Sequence, residues 1–129
     1  MKKISITRKE LEAFAVKALG IRHTALRRMS TLFLAQLLQI NLSGEKHAGD
    51  MASEINYLEN LYHDGLPGIT NRPARRKLSD AWIVFKRYNG TNYYLTLAKM
   101  NEGDLYINQR LRDAYELDFP FLEENHRLD

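Results

Sequence analysis

The stretch AWIVFKRYNGTNYYLTLA, residues 81–98, decides the fold of this chain. Two runs rich in aromatic, β-branched and aliphatic residues flank the dipeptide Asn89-Gly90. Asn-Gly between two such runs is the favoured two-residue turn of a β-hairpin, because both central residues of a type I′ turn take a positive φ. We therefore predict an antiparallel hairpin over about residues 81–98.

A two-residue turn also determines which residues of the hairpin face one another. Counting back from the turn pairs Phe85 with Tyr94 and Val84 with Leu95. Both resulting faces are largely apolar: one holds Trp82, Val84, Leu95 and Leu97, and the other holds Ile83, Phe85, Tyr94 and Thr96. We therefore expect helices to cover one face and the C-terminal segment to cover part of the other.

Apolar residues at helical spacing predict three helices before the hairpin. The first covers residues 8–19, because Thr7 and Glu10 match a capping box and Gly20 is a helix stop. The second covers about residues 22–42, and its wide apolar stripe is typical of a buried central helix. The third covers about residues 46–63 and has one apolar face and one acidic face.

The segments outside these helices and the hairpin are less regular. Two glycines and two prolines in DGLPGITNRP, residues 64–73, indicate that residues 65–79 form a loop. Asp104 is suited to cap a helix over about residues 105–116. Pro120 favours an extended tail after it, because a proline disfavours the helical conformation of the residue that precedes it.

The predicted fold is a single α+β domain over residues 1–129. Three N-terminal helices (about 7–64) pack on a small antiparallel sheet built around the β-hairpin (about 81–98, within 80–99). The loop 65–79 joins these two parts, and a C-terminal helix with an extended tail (104–129) closes the fold.

Composition excludes several classes of protein. The chain has 129 residues, 44% of them hydrophobic and 27% charged, which indicates one globular domain. It contains no cysteine, so disulfide scaffolds, thiol nucleophiles and cysteine-based zinc sites are excluded. The N-terminal MKKISITRKE lacks the apolar segment of a signal peptide, and the longest apolar stretch, residues 32–40, is too short to span a bilayer. We expect a cytoplasmic protein with no membrane contact.

The modest net charge of +3 is the sum of four blocks of alternating sign. Residues 1–28 carry a net +6, residues 29–70 a net −4, residues 71–100 a net +6 and residues 101–129 a net −5. Such blocks either pair with each other inside one fold or form a dipolar surface that steers a charged partner. Mutual pairing is the favoured interpretation, because opposite charges become neighbours on a compact domain.

The densest basic segment is NRPARRK, residues 71–77, just before the hairpin. With the hairpin tip it predicts a polyanion-binding surface made of Arg72, Arg75, Arg76, Lys77, Lys86, Arg87, Tyr88 and Tyr93. Cations that contact phosphates, interleaved with rings that stack on bases, are typical of single-stranded nucleic-acid binding. Ion pairs from Arg75 and Arg76 to the acidic residues of the third helix or the tail would instead make this segment structural.

Three functions are compatible with this pattern. The leading hypothesis is a small, non-enzymatic binding or regulatory protein of a bacterium or phage. It would engage RNA, DNA or another acidic partner through that surface, with Arg22, Arg27 and Arg28 as further contacts. The second is a metal-independent, toxin-type ribonuclease on the same surface, with no cofactor. Its candidate general base is Tyr88, Tyr93 or Glu102, or a histidine from the second or third helix.

The third hypothesis is a protein-binding module, such as an inhibitor or an immunity or antitoxin-type partner, that uses the acidic third helix and the tail. Its interface candidates are the large apolar side chains of the C-terminal segment: Tyr115, Phe119, Phe121 and Leu122. Packing of that segment on its own domain is the more common outcome. We expect no metal site, because the pairs Glu59 with His63 and His47 with Asp50 supply only two ligands each.

Overall fold

The computed structural model of the chain describes residues 6–42, 47–63, 74–78, 81–88, 90–99 and 101–122. Within these ranges the helices are α1 (Arg8–Leu19), α2 (His23–Leu26), α3 (Thr31–Leu42), α4 (His47–His63) and α5 (Asp104–Leu117). The strands are β1 (Ala74–Leu78), β2 (Ala81–Tyr88) and β3 (Thr91–Lys99), and a 3-10 turn covers Pro120–Leu122. The predicted α+β class is confirmed. No described helix is long and apolar enough to cross a membrane.

The three strands form one antiparallel sheet in the order β1-β2-β3, with a helical layer on each face. Helices α1 to α4 enclose the first core with one face of the sheet, where Phe33, Leu37 and Ile55 are fully buried. Helix α5 and the 3-10 turn enclose the second core with the other face. The expectation that both faces of the hairpin are covered is therefore confirmed. Gly90 in the turn has a φ of 81°, the positive value expected for the Asn-Gly turn.

Residues 74–78, which were predicted to lie in the loop 65–79, instead form β1. This strand pairs with β2 and places Arg76 opposite Ile83. Its cation-rich sequence ARRKL lacks the apolar alternation of a half-buried strand, but charged residues are common on edge strands, where they discourage pairing with other molecules. The rest of the predicted loop lies outside the described residues.

The predicted hairpin register is correct only on the turn side of a β-bulge. Phe85 pairs with Tyr94 as predicted, but Val84 pairs with Thr96 rather than with Leu95. The extra residue moves Leu97 to the first core, beside Ile83, and leaves Leu95 in the second. The cause lies in residues 28–30, because the Ser30 hydroxyl donates to the Leu95 carbonyl at 2.7 Å and holds the bulged backbone.

The helix predicted over residues 22–42 is divided into α2 and α3. Between them the chain runs alongside β3: the Tyr94 amide donates to the Arg28 carbonyl at 2.7 Å, and the Ser30 amide donates to the Tyr94 carbonyl at 2.9 Å. The Ser30 hydroxyl then accepts the Phe33 amide at 2.9 Å. Pairing with the sheet therefore replaces helical hydrogen bonds here, and α3 begins anew after a serine cap.

The C-terminal segment differs from its prediction at both ends of α5. Gly103, not Asp104, is the N-cap residue, and Asp104 lies in the first turn of the helix. Residues Pro120–Leu122 form a 3-10 turn rather than an extended tail, because Phe119 and Leu122 both turn into the second core. Residues 123–129 lie outside the described part of the chain.

Candidate functional site

Arg75 and Arg76 lie next to each other on β1, so their side chains point to opposite faces of the sheet. Arg75 faces α5, with Nη2 2.8 Å from Asp104 Oδ1 and its guanidinium 5.9 Å from the Trp82 ring centroid. Arg76 faces α4, where Nε donates to Glu54 Oε2 at 2.5 Å. Both arginines therefore have carboxylate partners within the chain, which is the arrangement that makes the segment structural.

The other members of the predicted polyanion surface are also dispersed. Lys77 is exposed on β1, and Arg72 lies outside the described residues. Lys86 and Arg87 are only 4% and 7% exposed, although the predicted polyanion surface includes both. Lys86 Nζ donates to the Leu122 carbonyl at 3.2 Å and lies 5.7 Å from the Tyr115 ring centroid. Both cations are therefore removed from the accessible surface, and it is the C-terminal segment that covers Lys86.

The two tyrosines of the predicted surface belong to a cluster of four rings, which we name the aromatic platform: Tyr88, Tyr93, Phe119 and Phe121. The ring centroids of Tyr88 and Phe121 lie 5.3 Å apart, those of Tyr93 and Phe119 5.1 Å, and those of Tyr93 and Phe121 5.3 Å. Tyr88 is 37% exposed and Phe121 is 50% exposed, whereas Phe119 is buried. The platform therefore presents two adjoining aromatic side chains to solvent on a packed base.

Of the four predicted interface residues, only Phe121 is accessible. Tyr115, Phe119 and Leu122 are buried in the second core, where they attach the C-terminal segment to the sheet. Burial also raises the pKa of the Tyr115 hydroxyl above its ordinary value, which keeps that group neutral. As placed here, these three side chains stabilise the fold and are not available to a partner.

Sequence reasoning missed other exposed apolar residues on α5: Leu105, Tyr106 and Leu117. Leu105, the first residue of the helix predicted over about residues 105–116, is 80% exposed. The buried stripe is Ile107, Leu111, Ala114 and Tyr115. Its spacing of i, i+4, i+7 and i+8 was the signal in the sequence that separates buried from exposed residues on this helix.

Arg28 and Glu59 form a partly buried ion pair that the sequence did not reveal. Two guanidinium nitrogens of Arg28 donate to the Glu59 carboxylate at 2.8 and 2.6 Å, and the Tyr94 hydroxyl donates to it at 2.5 Å. The hydrogen bond to Glu59 raises the pKa of Arg28, and burial followed by the nearby carboxylate raises that of Tyr94. The Glu59 carboxylate accepts three hydrogen bonds and the Tyr94 phenol is neutral, so neither group is a strong base. What the cluster does in this structure is join α4 to β3.

Of the candidate bases of a ribonuclease site, Tyr88 and Tyr93 lie together in the aromatic platform, but Glu102 lies apart from them. Tyr93 lies near the hairpin turn and Glu102 lies past the other end of β3, roughly 20 Å away at the rise of an extended strand. Glu102 accepts the Lys99 amide at 2.7 Å and lies 2.7 Å from Arg110. Burial disfavours its charge, but these contacts hold its pKa below the ordinary value. Glu102 therefore closes the loop between β3 and α5.

A shallow groove of about 420 Å³, which we name the α4 groove, opens on the other side of the molecule. It is lined by Asp50, Ser53, Glu54, Tyr57 and Arg76.

Among the described residues, no group of three or more His, Asp or Glu side chains is placed to hold a metal ion. No protein-family model, curated protein or solved structure matches the chain.

Proposed function

We propose that this chain is a protein-binding module that docks a partner on the aromatic platform. The observation that carries the proposal is the contact between the two exposed rings, Tyr88 and Phe121, on a base of two further rings. Large aromatic side chains held at a surface are the residues that dominate protein interfaces. The partner chemistry that fits is an apolar or aromatic side chain of another protein.

The platform is held in place before any partner arrives. Phe119, at the base of the platform, is buried, and the Lys86 ammonium group donates to the Leu122 carbonyl in the same segment. Pro120, between the two phenylalanines, restricts the backbone further. Because little side-chain freedom remains to be lost on binding, contacts made by these rings translate efficiently into affinity.

Polyanion binding, the leading hypothesis from the sequence, has less support from the geometry. A nucleic-acid surface needs cations beside its stacking rings. Here Lys86 and Arg87, the cations nearest in sequence, are buried, and Arg75 and Arg76 hold carboxylates on opposite faces of the sheet. The two exposed rings, Tyr88 and Phe121, are tilted at 53° to each other, so they do not form a parallel slot for a base.

The proposal is tested by cross-linking and then by affinity. A photoreactive benzoylphenylalanine replaces Phe121 in cells of the source organism, and a second variant carries it at Leu105, which is exposed near the other end of α5. The partner trapped from position 121 but not from 105 is purified. Its affinity for Phe121→Ala is expected to fall by roughly 30-fold, the loss of a central aromatic contact. Leu105→Ala is the matched control, with a change below about twofold.

Equal binding of the partner to Phe121→Ala and to the parent chain would refute the proposal. A fluorescent single-stranded RNA provides the opposing measurement. Binding that weakens steeply with added salt and is unaffected by Phe121→Ala would favour the polyanion hypothesis. Cleavage of that RNA in EDTA would favour a metal-independent ribonuclease.

A further inference from the structure

The α4 groove combines carboxylates with an aromatic ring on one helical face. Asp50, Ser53, Glu54 and Tyr57 follow the spacing i, i+3, i+4 and i+7, so they line one side of α4. Side chains on a helix lean towards its N-terminus, which brings the Tyr57 ring over the turn that carries Ser53 and Glu54. Two negative groups and a ring face are thus presented together along the groove.

The groove already holds one guanidinium group from the chain itself. Arg76 donates from Nε to Glu54 Oε2 at 2.5 Å, and its guanidinium carbon lies 5.2 Å from the Tyr57 ring centroid. A carboxylate at the edge of the guanidinium and a ring against its face are the two contacts that this group forms best. The internal pair shows which kind of ligand the walls of this groove suit.

One carboxylate and part of the ring remain available. Asp50 is exposed, no ion pair to it occurs among the described residues, and Tyr57 is 49% exposed beside the bound Arg76. Among the described residues that line the groove, two carboxylates face a single cation, so this set is one positive charge short of neutrality. An excess of negative charge favours a cation as a ligand of the groove.

We propose that the α4 groove binds an arginine side chain of a partner protein, with the guanidinium between the Asp50 carboxylate and the Tyr57 ring. A guanidinium is favoured over an ammonium group because it is planar, weakly hydrated and able to stack. The site goes beyond the aromatic platform and does not depend on it, since α4 and α5 belong to the layers on opposite faces of the sheet.

The test uses the full chain labelled with ¹⁵N and a short peptide, acetyl-Gly-Arg-Gly-amide. Saturable shifts are expected for the amide signals of Ser53, Glu54 and Tyr57, with the millimolar affinity of a single exposed contact. The same peptide with citrulline in place of arginine keeps the shape but not the charge, and should cause no saturable shift. Asp50→Asn should weaken arginine binding by about fivefold.

Removal of the internal guanidinium gives the converse measurement. Arg76→Ala frees Glu54 and the covered face of Tyr57, so the arginine peptide should bind about fivefold more tightly. Glu116→Gln, an exposed carboxylate on α5, is the control and should leave the affinity unchanged. Shifts absent from α4, equal binding of the citrulline peptide, or unchanged affinity in both Asp50→Asn and Arg76→Ala would overturn the proposal.

Discussion

Asp118, one residue past the end of α5, is hydrogen-bonded to the other side of the molecule. Its carboxylate accepts the Thr31 amide at 3.0 Å, the Thr31 hydroxyl at 2.8 Å and Arg8 Nη1 at 3.2 Å. The Thr31 amide is one of the free donors at the start of α3, so a carboxylate from a distant segment serves as part of the cap of that helix. One side chain thereby ties the C-terminal segment to the helical layer.

Asp118→Ala should lower the free energy of unfolding by roughly 2 kcal/mol, because a helix cap and a partly buried charged hydrogen bond are lost together. Urea denaturation followed by circular dichroism measures the change. Asp113→Ala, an exposed aspartate on the same helix, is the control and should stay within about 0.5 kcal/mol of the parent chain. Equal stabilities of the two variants would contradict the capping role.

At the scale of residues, the sequence predicts what is local and misses what is distant. The capping box of Thr7 and Glu10 spans three residues and is present as predicted. The partners of Asp118 and Arg28 lie 87 and 31 residues away, and no spacing rule connects them. Burial of Lys86 was equally hidden, because it depends on where a later segment of the chain folds back.

At the scale of elements, residues 28–30 connect the helical layer to the sheet, although their sequence contains no motif that predicts this role. They run beside β3, end α2, begin α3 and hold the bulge in the hairpin. Ser30 is at the centre of this arrangement: it is fully buried, its hydroxyl donates to the Leu95 carbonyl, and it accepts the Phe33 amide. Its two side-chain bonds thus connect a helix start to a strand.

Ser30→Ala should lower the free energy of unfolding by about 2 kcal/mol, because a buried carbonyl and a helix-end amide lose their partner. Thermal and urea unfolding, compared with the parent chain, give the value. Ser53→Ala on the exposed side of α4 is the matched control, with an expected change below about 0.5 kcal/mol. A loss in Ser30→Ala no larger than in Ser53→Ala would show that the two bonds do not stabilise the fold.

Local signals mark the hairpin, α1 and the third helix of the sequence analysis, and these could be predicted from their turn residues, caps and apolar spacing. Strand β1 could not, since ARRKL carries no apolar alternation and pairs only because β2 offers it an edge. The bulge and the break after Leu26 depend on the same contact between distant segments. The aromatic platform could be predicted only in part. The sequence shows the four aromatic residues, but which of their side chains are buried depends on the packing of α5.

At the scale of the whole molecule, the charge blocks of the sequence pair with one another. Arg8 and Arg28, from the first basic block, contact Asp118 and Glu59. Arg75 and Arg76, from the second, contact Asp104 and Glu54. Each of these pairs joins a basic block to an acidic one, which supports the favoured interpretation that the blocks complement each other inside one fold.

Salt should therefore weaken the domain. Raising NaCl to about 1 M screens partly exposed pairs, and we expect a loss near 1 kcal/mol in the free energy of unfolding. The double variant Arg75→Ala, Arg76→Ala lacks two of these pairs and should lose less on the same change of salt. An equal or larger loss in the double variant would show that the β1 pairs do not contribute.

The alternation of side chains along β1 has a consequence for reading basic runs in any sequence. Adjacent cations in a sequence suggest a single basic surface. In a β-strand, however, successive side chains point to opposite faces of the sheet, so one ligand cannot contact all of them at once. In β1 the carboxylates of Asp104 and Glu54 then compensate one charge in each row. The sequence of β1 contains three cations, but together with these two carboxylates the strand carries a net charge of only +1, that of Lys77.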